Sequence, residues 1–179
     1  MRKLNMEELG RLSVKEFKDV KKSPIVIVLD NVRSLNNVGS AFRTSDAFLI
    51  EKIYLCGITG TPPHKEIQKT ALGATESVGW EYLPTTLEAI YRLKDSGYQI
   101  CSFEQVDQSI MLDNFVPEVN GKYAMVFGNE VFGVEQEVIE NSHHVIEIPQ
   151  LGTKHSLNIS VTMGIAIWDF VVKLGILKV

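Results

Sequence analysis

The chain has 179 residues, 45% apolar and 22% charged, with a formal net charge of −4 at pH 7. That length suits one domain with a substantial core, and the composition is that of a soluble globular protein. A net negative chain does not advertise nucleic-acid binding over its whole surface, but its charge is uneven. Residues 1–22 carry a net +3 and the remainder a net −7. A basic arm on an acidic body can touch phosphate locally, although a solvated amphipathic helix would have the same composition. The opening MRKLNMEELG has no apolar signal-peptide stretch and no window reaches the length of a membrane span, so the expected location is the cytoplasm, away from any membrane. Cys56 and Cys101 lack CxxC spacing and end apolar runs, which reads as buried free thiols.

In chain order, residues 5–20 read as a helix, with Leu4, Leu9, Leu12 and Phe17 near helical spacing. PIVIVLD (24–30) is a continuous β-branched run, the mark of a strand buried on both faces. A short helix follows at Gly39–Phe48, then a strand at 52–57, a helix at 64–72 and a short strand at 80–83. Thr85 or Thr86 caps the next helix, with Glu88 as its capping-box partner and Gly97 as its stop. Strands are expected at 98–103, 122–128 and 144–149, with a helix at 134–142. The last helix, from Asn158 to about Leu174, is apolar on most faces and must be central or packed on a partner. Strands and helices alternate throughout, so the fold class is α/β with a mostly parallel sheet flanked by helices.

Three stretches carry polar groups that a core does not explain: NNVGSAFR (Asn36–Arg43), FGNEVFG (Phe127–Gly133) and IPQLGTKHSLNIS (Ile148–Ser160). Each begins at or near the end of a strand-like run, and a sheet that aims three such loops at one edge builds a pocket there. In the first, Gly39 permits close backbone approach and Arg43, one turn further on, can clamp a phosphate; Asn37 as a helix cap and Arg43 as a surface charge is the plainer alternative. In the second, Glu130 could equally be a capping carboxylate. In the third, Ser156 or Asn158 could cap a helix, which explains one of them and leaves the cluster of Thr153, Lys154, His155 and Ser160. GxGxxG, the P-loop and GxSxG are all missing, and the four histidines form no zinc set, so no metal is expected.

These residues resemble the SpoU, or TrmH-like, RNA ribose 2′-O-methyltransferases of the SPOUT superfamily. The first motif of that family is met by Asn37, Gly39 and Arg43. The second is met by Gly128, Asn129, Glu130 and Gly133, and the third by Ile148, Pro149, Ser156, Leu157, Asn158 and Ser160. The resemblance covers about residues 24–175, which makes 23–179 the catalytic domain and 1–22 a basic helical extension. It implies a C-terminal trefoil knot, among the few exceptions to unthreaded chain topology. It implies an S-adenosyl-L-methionine pocket around Gly128, Ile148 and Leu157 with Ser156 nearby. It also implies a homodimer through the last helix and the Gly133–Ile139 region, in which Arg43 approaches the other subunit's pocket.

The implied reaction is methyl transfer to a ribose 2′-hydroxyl of RNA, tRNA or rRNA. Arg43 would take the hydroxyl proton or, more in keeping with guanidinium chemistry, clamp a substrate phosphate and stabilise the developing alkoxide. Asn37 would orient Arg43 or the ribose, and Glu130, Ser156 and Asn158 would shape the pocket and position the substrate. Two rival readings are a non-catalytic RNA-binding or assembly factor on the same knotted fold and a base methyltransferase of the same superfamily.

Overall fold

The computed structural model describes residues 1–5 and 7–177. Strand β1 (Ser23–Asp30) is the apolar run expected to be buried on both faces, and it is. Ile25, Ile27 and Leu29 point into one core, while Val26 and Val28 point into the other. Period-two alternation of apolar side chains is what a strand between two helical layers requires. The other strands are β2 (Ile50–Cys56), β3 (Trp80–Leu83), β4 (Tyr98–Phe103), β5 (Ile110–Met111), β6 (Lys122–Phe127) and β7 (His144–Glu147). They form one seven-stranded sheet in the order β3-β2-β1-β6-β4-β7-β5, with every pairing parallel. The two-residue β5 has no signature in the sequence; it forms because Ile110 and Met111 extend the sheet beyond β7.

Helices α1 (Val14–Asp19), α2 (Leu35–Ala47), α3 (Lys65–Ala71) and α7 (Ile159–Lys173) supply the core of one face through Phe17, Phe42, Ile67 and Phe170. Helices α5 (Thr86–Asp95) and α6 (Gln136–Glu140) cover the other through Ile90, Leu93 and Val138. A short α4 (Ala74–Ser77) continues from α3 after Leu72 and Gly73, both left-handed, break the helix. Both cysteines are free and buried, and burial pushes the Cys56 thiol up to about 12. No helix among the described residues is long and apolar enough to cross a membrane.

The N-terminal segment differs from the continuous helix expected over 5–20. It holds a 3-10 turn at Glu7–Leu9 and the separate α1, divided at Gly10, whose φ is 56°. Ser13 and Glu16 form a reciprocal capping box that starts α1 afresh. At α5 the expected box is only half made: Thr85 accepts the Glu88 N–H, but the Glu88 carboxylate turns to Arg92 instead. Gly97, at φ 81°, ends that helix as expected.

The larger difference is at α2, which starts at Leu35, four residues before Gly39. Ser34 is its cap and accepts the Asn37 N–H, so Asn37 is a buried residue of the first turn and not the cap. Gly39 therefore lies inside a helix, where a Cβ would overlap Thr70 Oγ1 and the Ile67 carbonyl of α3. Its close approach is to a neighbouring helix, not to a ligand.

Candidate active site

In a parallel sheet, loops leaving the carboxyl ends of the strands meet on one edge, and pockets form where neighbouring connections diverge. Here the chain leaves β1 toward β2 on one side, while β6 and β4 lie on the other. A cavity of about 490 Å³ opens at that edge. Its walls come from Glu104 and Gln105 after β4, residues 128–133 after β6, Ile148 and Gln150 after β7, and residues 156–159 entering α7. Phe103, Phe127 and Ile146 supply an apolar floor. The volume is within the range of small-molecule and cofactor sites, about 300–1,000 Å³.

The three polar motifs are joined by hydrogen bonds at this cavity. Glu130 Oε1 accepts from Asn37 Nδ2 at 2.9 Å and from the Ser34 N–H at 3.0 Å, while Oε2 accepts from the Arg33 N–H at 3.0 Å. The Glu130 carboxylate thus supplements Ser34 at the start of α2, where the helix dipole favours an anion. Asn158 Nδ2 reaches Asn37 Oδ1 at 3.4 Å, and Asn158 Oδ1 caps α7 by accepting the Ser160 N–H at 2.8 Å. Burial alone would raise the Glu130 carboxyl, but the bonds from Asn37, Arg33, its own N–H and Ser34 outweigh it, so it lies below the ordinary carboxylate value. Such a group stays ionised and is a weak base, suited to holding geometry rather than to moving protons.

The turn after β6 is held as firmly. Asn129 and Gly133 exchange both backbone hydrogen bonds at 2.9 Å, and Asn129 Nδ2 donates to the Asn31 carbonyl at 2.8 Å. Gly128 needs its missing side chain for this turn, because a Cβ would overlap the Gly133 carbonyl carbon and the Val134 nitrogen. Glu104 Oε2 accepts the Val134 N–H at 2.9 Å and Oε1 accepts the Gln105 N–H at 2.9 Å, tying β4 to the same turn.

Of the residues singled out from sequence, Gly128, Glu130, Ile148, Ser156, Leu157 and Asn158 all line the cavity, and Asn37 stands behind Glu130. Arg43 does not join them. It is exposed on α2 and lines a separate groove of about 340 Å³ with Leu12, Phe17, Asp46 and Leu72. Among the described residues its side chain makes no hydrogen bond or ion pair. Glu104 and the exposed Phe132 escaped the sequence reading. The signal for Glu104 was a carboxylate directly after an apolar strand, the position the other site loops occupy.

The cavity's mixed lining suits an adenosyl compound: an apolar floor at Phe103, backbone of a glycine turn, and the exposed Ser156 at the mouth. A parallel α/β sheet whose strand-end loops enclose such a pocket, linked by Asn37, Glu130 and Asn158, defines a cofactor-binding enzyme class. The profile of the SpoU rRNA Methylase family matches residues 24–168, and the chain belongs to that family.

Named relatives agree. A Borreliella burgdorferi tRNA (guanosine(18)-2′-O)-methyltransferase is 25% identical, over 90% of this chain and 72% of that protein. A Haemophilus ducreyi 23S rRNA (guanosine-2′-O-)-methyltransferase RlmB is 25% identical, over 92% of this chain and 66% of that protein. The A. aeolicus TrmH/SpoU tRNA modifying enzyme has a solved structure that superimposes with a TM-score of 0.76 at 26% identity, covering 87% of this chain and 79% of that one.

Proposed function

We propose that this chain transfers the methyl group of S-adenosyl-L-methionine to a ribose 2′-hydroxyl of tRNA or rRNA. The observation that carries this reading is the Asn158–Asn37–Glu130 chain of hydrogen bonds at the cavity mouth, which makes the three motifs one site. The relatives named for 2′-O-methylation of tRNA and of rRNA support the same chemistry and leave the choice of RNA open. When bound, the cofactor supplies an electrophilic methyl group on a positively charged sulfur.

The protein's part is alignment. Gly128 and the backbone through Ile148, Ser156 and Leu157 hold the donor, with Glu104 bracing the turn beneath it. Asn37, fixed by Glu130 and Asn158, orients the incoming ribose. The ribose hydroxyl would give up its proton to solvent or to the adjoining phosphate, and Arg43 would clamp that phosphate and stabilise the developing alkoxide. Arg43 lies away from its own cavity, and in this reading a second subunit would bring it to the site. A homodimer is further supported by α7, whose outer face exposes Val161, Ile165, Trp168 and Val172 at coiled-coil-like spacing. The Gly133–Ile139 stretch contributes less apolar surface than its sequence suggests, because Val134 and Val138 are spent in the subunit core.

The knot is part of the same proposal: β7 inserts between β4 and β5, and the segment 148–158 then carries the chain back to α7 against α2, a path compatible with a trefoil. The arm of residues 1–22 would add phosphate contacts. The deciding experiment incubates the protein with tritiated cofactor and RNA from cells lacking the gene, then maps the methyl group by nuclease digestion and mass spectrometry. Methylation of a ribose is expected. A methylated base would favour the other branch of the superfamily, and RNA binding without cofactor binding would favour a non-catalytic factor.

A further inference from the structure

The turn between β6 and α6 presents Val131 and Phe132 to water at 67% and 83% exposure. A long loop could fold such side chains back, but this turn cannot. Beyond the paired Asn129 and Gly133 backbone bonds, Asn129 Oδ1 accepts the Val131 N–H at 2.9 Å and the Phe132 N–H at 3.2 Å. Glu104 holds Val134 on the far side, and Gly133 takes a φ of 70°. An aromatic ring is therefore held out at the mouth of the cavity, on a turn that has no freedom to bury it.

We propose that Phe132 is a stacking platform for a base of the RNA substrate and so a specificity-determining residue; this rests on the methyl transfer proposed above. The ribose oxygen has to come within about 3–3.5 Å of the donor methyl for transfer. The base hangs from the ribose carbon next to the one bearing that oxygen, so a base must lie at the mouth whenever the ribose is in the cavity. The neighbourhood favours a base over a phosphate. Glu130 and Glu135, both exposed, flank the turn, and the body outside the N-terminal arm is acidic. These carboxylates repel the sugar–phosphate backbone and leave the π-face as the available contact.

The test uses the full chain with two labelled probes, bulk tRNA and fragmented ribosomal RNA, in anisotropy titrations. Phe132→Ala should weaken binding of the preferred pool by about tenfold to a hundredfold, the range of a missing base–aromatic stack. Phe132→Tyr should bind like the parent, and Phe132→Leu should recover little, because it restores apolar area without a ring. The sedimentation coefficient should stay at the parental value, and any change in cofactor affinity by calorimetry should be smaller than the loss of RNA affinity. Parental RNA affinity in Phe132→Ala, or full recovery in Phe132→Leu, overturns the stacking role. A changed sedimentation coefficient for Phe132→Ala also overturns it, by placing the ring between two copies of the chain. If the parent binds RNA through Phe132 yet transfers no methyl, the methyl-transfer reading fails and the platform stands; if the parent binds neither pool, both fall.

Discussion

Asn37 Nδ2 and Glu130 Oε1 lie 2.9 Å apart across 93 residues of chain, and that bond turns two loop motifs into one site. The same carboxylate accepts the Arg33 and Ser34 N–H groups and so reinforces the Ser34 cap where α2 starts.

Glu130→Ala should remove all three of these hydrogen bonds and leave helix-start N–H groups to water. The loss in urea unfolding should be about 1–2 kcal/mol, the scale of a helix cap and of a charged hydrogen bond at a partly solvated site. Because the folded carboxyl lies below its unfolded value, its contribution is present above the unfolded pKa of about 4.3 and fades as pH falls through the folded value. The stability gap between parent and Glu130→Ala should therefore close in acid. A gap that widened below about pH 4 would contradict the sign.

Glu104→Ala should release the Val134 N–H and loosen the turn that forms one wall of the cavity. Cofactor affinity, read by calorimetry, should drop by about tenfold, which corresponds to one hydrogen bond to a charged group. Glu104→Gln, still able to accept one bond, should recover part of it. Gly128→Val should damage the turn itself by meeting Gly133 and Val134, so it should lower both stability and cofactor affinity.

Arg43→Ala should lower turnover by about 10²-fold or more, the usual result of removing a transition-state electrostatic partner, with cofactor affinity unchanged. Arg43→Lys should rescue little, since an ammonium lacks the bidentate fork. Mixing Arg43→Ala chains with Asn158→Ala chains should then restore about a quarter of parental turnover, because half the dimers would hold one intact site of two. No recovery in the mixed sample would place Arg43 in its own subunit's chemistry or outside it.

The exposed row on α7 should be the dimer seam. Trp168→Glu, together with Ile165→Asp, should give a monomer near 20.1 kDa by sedimentation equilibrium. Far-UV circular dichroism should stay at parental values, since both side chains face outward. Methyl transfer should fall with the dimer.

The basic arm can be tested without disturbing the core, provided Phe17 is kept, since it is only 4% exposed. Changing Lys15, Lys18 and Lys21 to glutamine should flatten the salt dependence of RNA binding by about 0.7–0.9 in log–log slope for each phosphate no longer neutralised. An unchanged slope would make the arm a packing element only.

Local chemistry made much of this protein legible without coordinates. The doubly buried β1, the alternation of strands and helices, the Gly97 stop and the glycine turn at Gly128–Gly133 each follow from side-chain period or backbone freedom, properties that neighbouring residues carry among themselves. The three motifs announced a site because polar residues crowded strand ends where a core has no use for them. Tertiary structure alone decided the rest. The start of α2 carries a local cap in Ser34, but Glu130, which holds the Arg33 and Ser34 N–H groups there, is nearly a hundred residues away and reaches it only through the fold. β5 exists only because β7 offers it an edge, and Gly39 matters only because α3 crosses there. Arg43 shares a motif with Asn37 yet faces another groove, because six residues along a helix turn a side chain through well over a full revolution and carry it about 9 Å away.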